Sequence, residues 1–202
     1  TPRTQSSLLE CMAEGQVTVD GVTRILEQPF FVIATQNPVE TLGCYPLPEA
    51  QMDRFLMKIS MGSLTAEEER RMIDRYITEE PLAEITSVCT LQEIKELQKQ
   101  CKEVYVHNDL RDYIVALVQG SRKKDLSIGV SPRGTLALLR ASQGYAMVKE
   151  RNYVVPEDIK AVALPVLSHR MISEVEDEKQ KEAVVEGLLN SIPLPTEDWA
   201  RA

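Results

Sequence analysis

The sequence predicts an α/β plus all-α fold, part of an α/β layer followed by a helical bundle, on three observations. Phe30 to Thr35 is apolar on both faces, as a central, parallel strand requires. Asp20-Gly21 is a two-residue hairpin signal between two short alternating stretches. Beyond Gly62-Ser63 the chain becomes a succession of helix starts with no further strand pattern. This division gives two parts, residues 1–62 and 63–202.

Each element follows from local chemistry. Thr4 to Glu14 places Leu8, Leu9 and Met12 at helical spacing, and Gly15 suits the helix end. In "QVTVDGVTRIL", Val17 and Val19 alternate with polar residues and Val22 to Leu26 returns, with Thr18, Thr23 and Arg24 expected to point outward. The Phe30–Thr35 strand runs into Gln36-Asn37-Pro38. After a loop, Pro48 to Asp53 can form a short helix, with Glu49 suited to its dipole. Phe55 to Ile59 reads as a second short strand. Thr65-x-x-Glu68 and Thr90-x-x-Glu93 are capping boxes. Asn108 can cap the next helix, Ser131-Pro132 starts another, Pro156-Glu157-Asp158 a third, and Asp177 to Leu189 is a last amphipathic stretch.

Composition excludes several classes. The chain of 202 residues is 43% hydrophobic and 27% charged, ordinary for a globular protein. A net charge of -8 argues against a surface built to grip nucleic acid, and the hairpin is poor in Lys and aromatic residues. No apolar run is long enough to span a bilayer. The four Cys (Cys11, Cys44, Cys89 and Cys101) form no CxxC pair, so reduced thiols in a cytoplasmic protein are the plainer reading. His107 and His169 stand apart, which disfavours zinc; His169 is expected to pack or cap at a helix end. There is no GxSxG, GxxxxGK(S/T) or GxGxxG.

Three residues ask for a chemical reason. Asn37 ends the apolar strand, where α/β proteins bind ligands, and can orient a water or touch a phosphate; it can equally start an Asx turn before Pro38. Arg54 precedes an inward Phe55 and so faces out. It can reach a phosphate in a neighbouring subunit, or simply pair with Asp53 or Glu49 on the surface. Position alone favours the plainer reading for both. Arg133 lies in the first turn of a helix, where the dipole opposes a cation unless an anion is near; the alternative is a stem reaching Asp125 or another carboxylate.

Together, "TQSSLLECMAEGQVTVDG", "PFFVIATQNPVE", "YPLPEAQMDRF" and "SPRGTLALLRASQGYAMVKERNYVVPEDIKAVALPVLSHRM" resemble the AAA+ ATPases of the MoxR type, in order and spacing over nearly the whole chain. The resemblance implies a partial AAA+ αβα core followed by a helical lid. It makes Asn37 in "ATQN" the sensor 1 residue and Arg54 in "MDRF" the arginine finger, acting in trans. It makes Arg133 in "SPRG" the nucleotide-binding sensor 2 residue and the hairpin a presensor 1 element facing partners or a pore. It further implies ATP and Mg2+ as ligands of the full-length protein, a ring that is often hexameric, and chaperone-like maturation of client proteins, often with von Willebrand A-type partners.

The departure is that the family's Walker A Lys and Walker B acidic pair belong upstream of "TPRTQSSLLE". That opening reads like the interior of a longer polypeptide. The triphosphate and metal are held by those segments, so this chain alone is expected neither to bind nor to hydrolyse ATP and to need no metal. Two competitors remain: a non-catalytic regulatory or binding module, and a replicative helicase sharing sensor 1, the hairpin and the "RF" finger. The acidic balance counts against the second.

Overall fold

Two glycine-dependent corners shape the start of the chain. In this computed structural model the described residues are 10–12, 14–36, 47–78, 80–122, 128–172, 178–196 and 199. Leu8 and Leu9 of the expected first helix lie outside them. The end of that helix is seen: Gly15 takes a φ of 62° and donates its N–H to the Cys11 carbonyl at 3.1 Å. Strand β1 (Gln16–Val19) then pairs antiparallel with β2 (Val22–Ile25), Val19 opposite Val22. Asp20 and Gly21 have φ of 52° and 75°, the double positive φ of a tight two-residue hairpin turn. Thr18 faces Thr23, their hydroxyls 3.0 Å apart. Arg24 opposes Val17 on the other face, because neighbouring strand residues alternate, so it does not share an outward face with Thr18 and Thr23 as the sequence reading had it.

The two expected single strands are not formed. Phe30–Thr35 has no ladder partner among the described residues, and Phe31 and Ile33 are 79% and 80% exposed. A strand exists only through neighbours that take up its N–H and C=O groups, and an apolar run alone does not supply them. Phe55–Ile59 is likewise no strand: carbonyls in this stretch are engaged by a side chain of the helical part, described below.

The helices fall close to where their signals stand. They are α1 (Glu49–Met52), α2 (Ala66–Thr78), α3 (Leu91–Glu103), α4 (Asn108–Ser121), α5 (Pro132–Val148), α6 (Pro156–Leu167) and α7 (Glu178–Ser191). Both capping boxes form: Thr65 N–H donates to Glu68 at 2.8 Å and Thr90 N–H to Glu93 at 2.6 Å, while each threonine hydroxyl accepts the N–H of its glutamate. The cap of α4 is His107, whose Nδ1 accepts from Asp109 N–H at 3.3 Å, and Asn108 is already helical. At α6, Asp158 reaches back to Val155 N–H at 2.8 Å. Val155 has no side-chain acceptor to return the bond, so this is half a capping box.

The core joins α4, α5, α6 and α7. Leu110, Ile114, Leu117, Leu138, Ile159, Val166, Leu167 and Val185 are buried there, and α5 packs most extensively on α6. Isolated bridges, Tyr105 with Tyr153 and Ile128 with Ile172, tie loops across the bundle. The amphipathic α2 keeps Met72, Ile73 and Tyr76 open to solvent.

Candidate functional site

Asp53, the residue that ends α1, meets the start of α5 and the end of α6. The Ser131 hydroxyl donates to both carboxylate oxygens, at 3.0 and 3.2 Å. Ser131 starts α5 without capping it: no helix N–H bonds to its hydroxyl, which is turned towards Asp53. Arg133 Nη1 lies 3.4 Å from Oδ2. Arg170 Nε lies 3.1 Å from Oδ1, an ion pair off the line of a hydrogen bond.

Arg170 organises the site. It sits in a single 3-10 turn, Ser168–Arg170, and its side chain is 1% exposed. A buried guanidinium must place its donors, and this one places them on backbone. Nη2 donates to the carbonyls of Asp53 at 3.2 Å and Phe55 at 2.5 Å; Nη1 donates to Leu56 at 3.2 Å and to Val166. Lys58 N–H adds a bond to the Pro165 carbonyl at 2.9 Å, so residues 53–58 lie along the corner after α6. Gly134 lets α5 begin against this corner. A Cβ there would stand 2.3 Å from Val130 Cγ1 and 3.0 Å from Arg170 Cδ.

His169 is buried beside it, as the expectation that it packs or caps allowed. Its Nε2 lies 2.8 Å from Arg170 Nη1 and 3.2 Å from the Phe55 carbonyl. Nε2 accepts from the guanidinium in one tautomer and donates to the Phe55 carbonyl in the other. Desolvation, and then the neighbouring Arg170 charge, push the His169 pKa down from 6.5 to about 4. The unfolded chain therefore binds more protons than the folded one between those values, and stability rises with pH across that window. The contribution of neutral His169 is complete above pH 6.5 and is lost as pH falls towards 4, with a ceiling of about 3 kcal/mol. Urea midpoints of the chain and of His169→Gln between pH 7.5 and 4.5 check this. The variant is expected to show the shallower slope; parallel curves would refute the assignment.

The residues predicted from sequence are distributed as follows. Asn37 lies outside the described residues. Arg54 is half-buried and follows Asp53, but pairs with neither Asp53 nor Glu49; among the described residues it has no ion pair. Arg133 stays half-exposed at the start of α5, and its carboxylate partner is Asp53; Asp125 lies outside the described residues. Arg133 thus meets the carboxylate of the residue that precedes Arg54, although the two arginines are far apart in sequence. Sequence reasoning missed Arg170 and the central place of Asp53. The signal was present as "SHR" at the end of an apolar helix, where a cation must be buried or turned out.

Residues 1–57 match the family described as "ATPase family associated with various cellular activities (AAA)", and residues 121–188 match the AAA lid domain. Chaperone MoxR1 of Mycobacterium tuberculosis is 38% identical over 96% of this chain and 54% of its own length. The chain belongs to the MoxR-type AAA+ family. An uncharacterized protein, YeaC of Bacillus subtilis, is 42% identical over 98% of this chain and 63% of its own. Protein MoxR of Paracoccus denitrificans is 28% identical over 96% of this chain and 64% of its own. A solved structure from Cytophaga hutchinsonii, provisionally assigned as an ATPase, superposes with a TM-score of 0.88 at 35% identity, covering 97% of this chain and 63% of that one. This MoxR-type chain thus spans between half and two thirds of the length of these relatives. Its helical bundle takes in the stretch matched by the AAA lid family, and the Asp53–Arg170 junction joins that bundle to the stretch matched by the AAA family.

Proposed function

We propose that this chain is the sensor-and-lid portion of an ATP-hydrolysing ring that remodels or matures client proteins. The observation that carries the reading is that Arg133, at the start of the lid-matched helix α5, pairs with Asp53, the residue next to Arg54 in the AAA-matched stretch. In this reading residues 1–62 are the end of the AAA+ core and residues 63–202 the lid. A guanidinium half-exposed at a helix start fits a phosphate oxygen, because the helix N–H groups and the cation act together. Arg133 is the sensor 2 residue, Asn37 orients the attacking water, and Arg54 offsets charge on the nucleotide of the adjacent subunit. ATP is the substrate. Mg2+ would supply charge neutralisation at its phosphates; among the described residues no group of three His, Cys, Asp or Glu side chains converges to hold it. A hexameric cytoplasmic ring, a client protein and von Willebrand A-type partners complete the proposal; of these, the chaperone designation of the M. tuberculosis relative supports the client protein.

The 3.4 Å approach of Arg133 to Asp53 favours a second assignment for Arg133. It places Arg133 beside the residue preceding Arg54, so both arginines can address one triphosphate, that of the neighbour, rather than Arg133 serving its own subunit. Mixed rings containing Arg133→Ala subunits distinguish the two assignments.

The chain alone lacks the Walker A and Walker B segments and is expected to bind ATP negligibly. Calorimetric titration with ATP and Mg2+ is expected to give no heat above dilution. Micromolar affinity would overturn the division of labour proposed for the two parts.

A further inference from the structure

Arg54 is the second of the four consecutive residues 53–56, and the other three all give carbonyls to one buried side chain. Arg170 takes the Asp53 carbonyl on the N-terminal side of Arg54, and the Phe55 and Leu56 carbonyls on its C-terminal side. It also faces the Asp53 carboxylate. On the α1 side Arg54 N–H bonds to the Gln51 carbonyl and Phe55 N–H to the Met52 carbonyl, both at 3.1 Å, so a single helical turn is all that α1 itself supplies. The Phe30–Thr35 segment makes no ladder with this stretch. We propose that Arg170 is a positioning residue for Arg54: the helical bundle, through Arg170 and the Asp53 carboxylate, sets the backbone from which the Arg54 guanidinium projects.

The chemistry suits this task. A planar fork of donors fixes several carbonyls at once, whereas an ammonium is a point charge that cannot. Burial removes competing water, so the bonds are worth keeping and costly to break. Any movement of the corner after α6 is then passed to the backbone on both sides of Arg54. The inference rests on the assignment of Arg54 as the trans-acting residue, but its structural half does not.

Two measurements test it. In this chain, Arg170→Met is expected to raise hydrogen exchange at the Arg54, Phe55 and Lys58 amides about tenfold or more, with the amides of α4 and α5 unchanged. Unchanged exchange at 53–58, or loss spread equally through α4 and α5, overturns the proposal. In a longer polypeptide carrying this chain with Walker A and Walker B segments, Arg170→Met and Arg170→Lys are expected to lower kcat for ATP with KM unchanged. The double variant with Arg54→Ala should be no slower than Arg54→Ala alone. Additive losses, or a wild-type kcat for Arg170→Met while Arg54→Ala is impaired, overturn it. An unimpaired Arg54→Ala would instead remove the assignment of Arg54, and leave the exchange result to stand.

Discussion

Arg54→Ala, made in a longer polypeptide that carries this chain with the family's Walker segments, is expected to lower ATPase kcat by about 10³–10⁵, the range known for arginine fingers. The expectation rests on what Arg54 does not do. A surface arginine of purely structural use pairs with a nearby carboxylate, and here Asp53 is taken by Ser131, Arg133 and Arg170. The half-buried guanidinium has no ion pair among the described residues, so its removal should cost the fold within about 0.5 kcal/mol. Arg54→Lys is expected to recover little, because an ammonium lacks the planar fork. A folded variant with wild-type turnover would end the finger assignment.

Asp158→Ala is expected to destabilise the chain by about 3–5 kcal/mol, the cost of removing one partner from a buried ion pair. Asp158 is 1% exposed. Arg151 grips it with two nitrogens, Nη1 at 2.8 Å from Oδ2 and Nη2 on Oδ1, and holds its own charge more firmly for that hydrogen bond. The same carboxylate satisfies Val155 N–H at the start of α6, so the variant loses a helix cap along with the ion pair. For a chain of this length the loss corresponds to a Tm about 10 °C lower. Calorimetry on the two proteins decides it, and a change of under 1 kcal/mol would show the pair to be solvated.

Much of this organisation was legible in the sequence. Asp20-Gly21, both threonine capping boxes and Ser131-Pro132 each carry their own local chemistry, and each stands in the structure where its residues put it. Long-range pairing was not legible. The Phe30–Thr35 run has the composition of a strand, but composition does not provide the ladder neighbours a strand requires. Ser131 was recognised as a helix start, yet nothing local says that its hydroxyl serves Asp53, seventy-eight residues earlier, in place of its own helix. Arg54 and Arg133 stood out because a cation at a rim or at a helix start is locally unsatisfied. Arg170 did not, since its partners are backbone carbonyls that any sequence would offer.

The central claim is that Arg54 acts across a subunit boundary. It is tested most directly by mixing, in the longer polypeptide, subunits bearing Arg54→Ala with subunits whose Walker A lysine is replaced. Each is expected to be inactive alone. If Arg54 serves the neighbour, mixed rings place an intact Arg54 beside an intact phosphate loop, and ATPase activity should return on mixing. If mixed rings form and remain as inactive as either parent, Arg54 does not act in trans and the account fails.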